Sequence, residues 1–415
     1  MEITKTILYF IHLHGKKIKM DTFFRTHKYL VEHIESPVTR LLMSEIDWRH
    51  RLIGIKGSRG VGKTTFLLQY AKDNFSVDDR TCLYINLNNF YFTNRTLVSF
   101  ADEFQKSGGK TLLIDQVFKY PDWGKDLRYC YENFKDLHIV FSGPSVMRLK
   151  DEESPVAECV QSYNLRGYSF REYINLMKGT NLCPYTLEEI LQNHEQIAKE
   201  ITSVIKPLAY FQDYLHHGYY PLFLENTNYS ENLLKLMNMT IEVDILFLKQ
   251  IELKYLPKIS KLLYLLATNA TSVPCSPNVS QLSLDIETSR ATVMNYIKYL
   301  KDARMLNWLY SENEDFPKKP DRIYMQNTNQ MYAIFPSNIN RKALCETFFV
   351  NNMVRDKDVL FTTDGADFLI DKQYPFKVVA KDENLKNDVK VFQAIDMMDI
   401  GKKKSIPLWL FGFLY

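Results

Sequence analysis

The stretch Ile53-Gly54-Ile55-Lys56-Gly57-Ser58-Arg59-Gly60-Val61-Gly62-Lys63-Thr64-Thr65-Phe66-Leu67-Leu68-Gln69-Tyr70 decides the fold. It opens as a short apolar strand, fits GxxxxGK[ST] from Gly57 to Thr64, and runs on as a helix. Each residue type in the middle has a physical reason. Glycines let backbone N–H groups close round phosphate oxygens, and the helix N-terminus adds its positive dipole. Lys63 would meet the β- and γ-phosphates and Thr64 would ligate the metal. The spacing therefore assigns Gly57, Ser58, Arg59, Gly60, Val61, Gly62, Lys63, Thr64 and Thr65 to a nucleoside triphosphate, with ATP and Mg²⁺ the expected ligands.

Working outward, β-rich runs alternate with helical segments between Arg51 and Leu165, the pattern of βαβ units in a parallel sheet. The expected strands are Arg51 to Lys56, Thr81 to Leu87, Thr111 to Asp115, His138 to Ser142 and Cys159 to Leu165. Gly108-Gly109 stops a helix before the third strand, and Pro121-Asp122-Trp123-Gly124 starts another after it. A P-loop protein needs an acid at the end of a buried strand to hold the metal, and Lys110-Thr111-Leu112-Leu113-Ile114-Asp115 supplies Asp115. Thr64 and Asp115 are thus the expected metal ligands. Gln116 follows, where many ATPases carry a Glu that activates the attacking water. An amide can orient water but is a far poorer proton acceptor. Ser142, at the expected end of the next strand, is the candidate sensor of the γ-phosphate, so that Asp115, Gln116 and Ser142 form the expected catalytic set.

Four stretches together carry a family resemblance: Gly57 to Thr65; Ile114-Asp115-Gln116 with Lys119-Tyr120-Pro121-Asp122-Trp123; Ile139-Val140-Phe141-Ser142-Gly143-Pro144-Ser145; and Gly167-Tyr168-Ser169-Phe170-Arg171-Glu172-Tyr173. The combination resembles the prokaryotic AAA-type ATPases that pair an AAA_14 domain with a DUF4143-like C-terminal half. It extends through Lys319-Pro320-Asp321-Arg322-Ile323-Tyr324 and Asn327-Thr328-Asn329 to the closing Ile406 to Tyr415, nearly everything after Met20. The resemblance implies an AAA-like core, a winged helix and a nuclease-like terminal fold. Two departures bear on catalysis. The usual Asp-Glu pair is Asp115-Gln116, and Ser154 to Cys159, where relatives tend to carry adjacent arginines, reads Ser-Pro-Val-Ala-Glu-Cys.

Beyond Tyr173 the composition is helical to about Pro257. Ile259 to Tyr310 then reads as three short helices, followed by strands at Leu306 to Tyr310 and Arg322 to Met325, the outline of a winged helix. On the helix from Ser289, Val293, Tyr296, Ile297 and Leu300 make an apolar face. The opposite face carries Arg290, Thr292, Asn295, Lys298 and Lys301, which suits either DNA, with cations on phosphates and Asn295 near base edges, or a protein partner. Toward the end, Glu346 on a helix, Asp367 on a strand and Lys377 to Lys381 follow the order of a PD-(D/E)xK nuclease core, but Val379 or Lys377 stands where the second acid belongs, so a nuclease-like but inactive fold is expected. Ile406 to Tyr415 reads as a buried strand.

At 415 residues the chain exceeds one ordinary core. The expected division is an extension over 1–19, an AAA-type core over 20–175, a helical lid or connector over 176–257, a winged helix over 258–326 and a nuclease-like domain over 327–415. The fold class is therefore α/β, a P-loop parallel sheet followed by helical, winged-helix and α/β terminal parts. With 46% hydrophobic and 24% charged residues nothing demands disorder, and a net charge of +3 is too small to imply nucleic acid or anionic lipid by itself. The six cysteines are scattered without a CxxC pair, which reads as reduced thiols in a cytosolic protein. No run is long and apolar enough to span a bilayer. ATP, DNA through Arg290, Asn295, Lys298 and Lys301, and further copies of the chain in a homo-oligomer are the expected partners.

Overall fold

The computed structural model describes residues 20–225, 228–272, 276–363, 365–381, 383 and 390–415, with only the backbone at 247–248 and 271–272. The extension expected over 1–19 lies outside these residues, as does Cys275. Two compact units make up the chain. One holds the residues to Gly57 with Gly62–Arg166, the other Ser58–Val61 with Gly167–Tyr415.

The first unit is built on five strands: β1 (Leu52–Gly57), β2 (Cys82–Asn86), β3 (Thr111–Asp115), β4 (His138–Pro144) and β5 (Gln161–Asn164). They lie in the order β2-β3-β4-β1-β5, and every pairing is parallel. Strands that are apolar on both faces need helices on both faces. These are Lys63–Asn74, Leu97–Lys106 and Trp123–Asn133. Thr96 begins the second by accepting the Ser99 N–H, and Gly108, at φ +93°, turns the chain into β3 as its sequence position predicts.

Helix 20–33 guards the sheet edge. His27 Nδ1 accepts the Tyr84 N–H of β2 at 3.0 Å, and burial lowers the imidazole's pKa, which favours the neutral ring that can accept that bond. The strand expectations hold in number and order, with two differences. β4 does not end at Ser142, because the register Lys56↔Gly143 and Gly57↔Pro144 keeps it paired with β1 for two more residues. Ser142 is therefore inside the strand, fully buried. β5 begins at Gln161, since Cys159 and Val160 are used in turns on Val156.

Most of the second unit's first half is helical. Phe170–Lys178 and Leu187–Val204 each start with a capping box, Ser169 with Glu172 and Thr186 with Glu189. Two helices then pass into π-helical turns, Leu208–Asp213 into Tyr214–Gly218 and Tyr229–Met239 into Thr240–Ile245. A π turn displaces the carbonyls before it, which need other donors. For the first turn Asn329 supplies them: its Nδ2 reaches Tyr214 O at 3.0 Å and Leu215 O at 2.9 Å, while its Oδ1 accepts the Tyr219 N–H at 2.8 Å. Thr328 adds its hydroxyl to Leu215 O at 2.6 Å.

Helices Leu256–Ser272, Val279–Asp285 and Arg290–Asp302 precede an antiparallel pair, β6 (Leu306–Leu309) with β7 (Arg322–Met325). The expected apolar face of the third helix is buried in full, and Met294 joins it. The rest is a mixed five-stranded sheet of β8 (Val359–Phe361), β9 (Phe368–Ile370), β10 (Tyr374–Val379), β11 (Phe392–Ile395) and β12 (Ser405–Pro407), covered by helix Arg341–Met353, in which every residue from Ala343 on is buried. The closing strand is shorter than expected. Pro407 offers no N–H to continue the ladder, and Leu408–Phe413 turn into a wholly buried 3₁₀ helix.

Candidate functional site

The nucleotide site starts where β1 ends and the chain must reverse into helix Lys63–Asn74. Gly62, at φ +93° and ψ +28°, occupies the N-cap in a left-handed conformation open to glycine, and no side chain caps the first turn. Its N–H groups therefore face the loop, as an anion requires. Lys63 Nζ reaches back to the Gly57 carbonyl at 2.7 Å, which holds the ammonium across the mouth of the loop.

Behind the loop lies a polar cluster centred on the buried Asp115, Ser142 and Tyr84. Thr64 Oγ1 donates to Asp115 Oδ2 at 2.7 Å and Tyr84 OH to the same oxygen at 2.9 Å. Ser142 Oγ donates to Asp115 Oδ1, and the Gln116 N–H lies 3.0 Å from that oxygen and 3.2 Å from Ser142 Oγ. Asp115 is only 1% exposed, so an ionised carboxylate there needs this many donors. Adjacent strand ends explain the meeting: β3 and β4 pair Ile114↔Phe141, which sets Asp115 beside Ser142, and helix Lys63–Asn74 crosses above them with Thr64 in its first turn.

The structure thus brings together Thr64, Asp115, Gln116 and Ser142, four residues chosen from sequence, with Lys63 at the mouth of the same loop. Tyr84 is the member that sequence reasoning missed. Burial first, then the Asp115 charge, pushes its phenol well above the ordinary value, which keeps it a donor. Its position two residues before the end of the strand neighbouring β3 was the available signal.

Gln116 is held in a left-handed conformation, φ +53° and ψ +44°, at the start of the 3₁₀ turn Val117–Lys119. This is an uncommon place for a non-glycine residue, and the two bonds from its N–H hold it there. Segment Ser154–Cys159 forms turns, and its Glu158 takes Arg128 at 3.0 Å.

A hard-oxygen pair such as Thr64 Oγ1 and an Asp115 carboxylate suits Mg²⁺, and the open helix start with Lys63 suits a polyphosphate. The residues present fit ATP·Mg²⁺.

In the second unit, Arg290 and Asn295 are exposed. Lys298 Nζ lies over the Phe316 ring at 4.3 Å and Lys301 Nζ over Trp308 at 5.3 Å. Two of the cations expected to meet phosphates therefore also cover aromatics of the adjoining hairpin.

Around Lys342 the terminal sheet gathers three carboxylates. Its ammonium is 3.7 Å from Glu346, 3.6 Å from Asp367 and 3.1 Å from Glu383, and it donates to the Val378 carbonyl. Among the described residues no group of three or more His, Cys, Asp or Glu has the geometry to hold a metal ion. Val379 is buried in the sheet and Lys377 half-buried, so neither supplies the missing acid.

Burial, the largest cause, raises the Glu346 carboxyl from 4.5 to about 7. An unfolded chain releases that proton near 4.5 and the folded one near 7, so the folded state binds more protons between those values. The contribution of Glu346 to stability is accordingly greatest below the unfolded value and is lost as pH rises through that window. Glu346→Gln is expected to lose less stability than the wild type between about pH 5 and about pH 7.5. Denaturant unfolding at both pH values checks this, and equal losses in the two proteins would contradict it.

No helix among the described residues is long and apolar enough to cross a membrane. Against known families, residues 49–174 match AAA_14, described as an AAA domain. Residues 208–328 match a domain of unknown function, DUF8612, where the resemblance implied a DUF4143-like half. A curated relative, Uncharacterized protein MJ1637 of Methanocaldococcus jannaschii, is 25% identical over 278 residues, 63% of this chain. The matched region spans 57% of that relative's length.

Among solved structures, a single-substitution variant of RuvB from Thermotoga maritima overlays with a TM-score of 0.26 at 15% identity, covering 71% of this chain and 89% of that one. C. elegans PCH-2 overlays with a TM-score of 0.24 at 13% identity, covering 43% and 47%. The family match contains the whole loop, Asp115, Gln116 and Ser142, and it fits the all-parallel sheet that carries them. Residues 49–174 of this chain are an AAA-type P-loop domain of the AAA_14 family.

Proposed function

We propose that the protein binds ATP with Mg²⁺ in the loop Gly57 to Thr65, hydrolyses it slowly, and uses the bound state as a switch whose output is carried by Gly167–Tyr415. The observation that carries this reading is the set Thr64, Asp115, Ser142 and Gln116, in which Asp115 and Ser142 are buried, Gln116 is half-buried and Thr64 is exposed. Its carboxylate and hydroxyl suit a metal, while the residue beside them is an amide. When bound, Mg²⁺ would neutralise phosphate charge. Thr64 and Asp115 would hold it and Lys63 would hold the β- and γ-phosphates. Ser142 would position Asp115, and Gln116 would orient a water without taking its proton. Free thiols at Cys82, Cys130 and Cys345, all buried, are in keeping with a cytoplasmic protein, and an AAA-type domain is in keeping with a homo-oligomer. The test is calorimetric titration with ATP·Mg²⁺ alongside phosphate release.

A second reading is favoured by the exposed Arg290 and Asn295 on a helix that precedes a two-stranded hairpin. In that reading residues 258–326 form a winged helix that binds DNA, and the nucleotide site regulates it. The terminal residues 327–415 would then be a nuclease-like fold whose acidic cluster is neutralised by Lys342. Replacing Arg290, Lys298 and Lys301 together by alanine is expected to weaken duplex binding and to lower the log–log salt slope by about one for each phosphate that is no longer neutralised. Fluorescence anisotropy at several salt concentrations checks it. Unchanged affinity and slope would reject this face.

A further inference from the structure

The tip of the loop, Ser58–Val61, belongs with the helical unit. Arg59 presents a forked edge to Asp244: its Nε lies 3.0 Å from Oδ2 and its Nη2 2.6 Å from Oδ1. Asp244 is 185 positions away in sequence, its side chain is 1% exposed, and that of Arg59 is 19% exposed. Paired, charge-assisted bonds of this kind fix direction as well as distance. Gly60 adds a second hold. At φ +79°, a Cβ on it would lie 2.5 Å from Leu236 Cδ1, so the backbone of the tip sits against that side chain. Leu236 and Asp244 flank one feature, the passage of helix Tyr229–Met239 into the π turn Thr240–Ile245. Such turns are uncommon and concentrate at functional positions.

We propose that Asp244 is a positioning residue for the nucleotide: by fixing Arg59 it holds the tip of the loop in the arrangement that receives the phosphates. This deepens the ATP reading and rests on it. The loop must present several backbone N–H groups at once, and a tip already fixed loses less conformational freedom when the nucleotide arrives. The action of Asp244 on the nucleotide would run through Arg59. Linkage makes the effect mutual, so bound nucleotide should in turn steady the π turn.

The experiment is ATP·Mg²⁺ affinity by calorimetry on the full chain. Asp244→Asn keeps the side chain's shape, removes its charge, and is expected to weaken binding about tenfold. Added to Arg59→Ala, the same substitution should change affinity no further, since the proposed action of Asp244 runs through Arg59. Unchanged affinity in Asp244→Asn would overturn the proposal. So would an equal loss with and without Arg59, which is the mark of a merely structural residue. Arg59→Ala takes the forked partner away from a buried carboxylate and is the variant most at risk in folding, so hydrogen exchange gives an independent readout. ATP·Mg²⁺ should slow amide exchange over Thr240–Ile245 in the wild type and not in Asp244→Asn, and equal slowing in both would overturn the proposal. A wild type that does not bind ATP at all would instead reject the nucleotide reading, and this inference with it.

Discussion

Replacing Lys63 by alanine is expected to abolish tight ATP binding while leaving the fold intact. The ammonium now bridges to the Gly57 carbonyl across the loop, on a side chain that is partly exposed. Against a triphosphate the same group would neutralise charge and donate charge-assisted bonds to two phosphates. Bonds of that kind contribute about 1.5 to 3 kcal/mol each, and about 3 kcal/mol corresponds to a loss of on the order of a hundredfold in affinity. The remaining cradle consists of backbone N–H groups and a helix dipole, which together carry only partial charge. Calorimetry with ATP·Mg²⁺ reads the result directly. Binding by Lys63→Ala within a few-fold of the wild type would mean that Gly57 to Thr64 is a structural turn.

Gln116→Glu is expected to raise the rate of ATP hydrolysis. Asp115 keeps its four donors whatever the side chain after it, because the fourth is the backbone N–H of residue 116 itself. The substitution therefore adds a carboxylate beside an otherwise unchanged metal site. A positioned general base contributes roughly 10²- to 10⁴-fold, which sets the upper limit of the gain. The gain should fall below that limit. Segment Ser154–Cys159 carries no arginine, and its Glu158 is paired with Arg128, so stabilisation of charge in the transition state stays incomplete. Steady-state phosphate release at saturating ATP checks both halves. Brisk wild-type turnover that the substitution leaves unchanged would show that the proton acceptor lies elsewhere.

Much of the first unit was legible because its signals are local. A strand, a glycine-rich turn and a helix start follow one another without a break from Leu52 to Asn74, and the acid ending β3 closes a run of three apolar residues. Ser142 lies inside β4 and not at its end, since strand length is set by pairing with β1, which periodicity does not report. Tyr84 was missed for a similar reason. Its hydroxyl reaches Asp115 only because β2 and β3 are neighbours.

In the second unit, amphipathic spacing found the helix Arg290–Asp302 and its buried face. It could not find the π turns, whose stability comes from partners such as Asn329, more than a hundred residues away. The Arg59–Asp244 pair is illegible for the same reason: within the motif any residue is allowed at position 59, and nothing near Asp244 marks it.

The account stands or falls on a protein that takes up ATP and keeps it. The most direct measurement is to mix purified protein with ATP and Mg²⁺, separate bound from free nucleotide by rapid gel filtration, and identify the nucleotide that remains bound after several minutes. Intact ATP, retained in proportion to the protein and absent from Lys63→Ala, is the expected result. Bound nucleotide recovered wholly as ADP would contradict slow turnover, and no retained nucleotide at all would contradict the site itself.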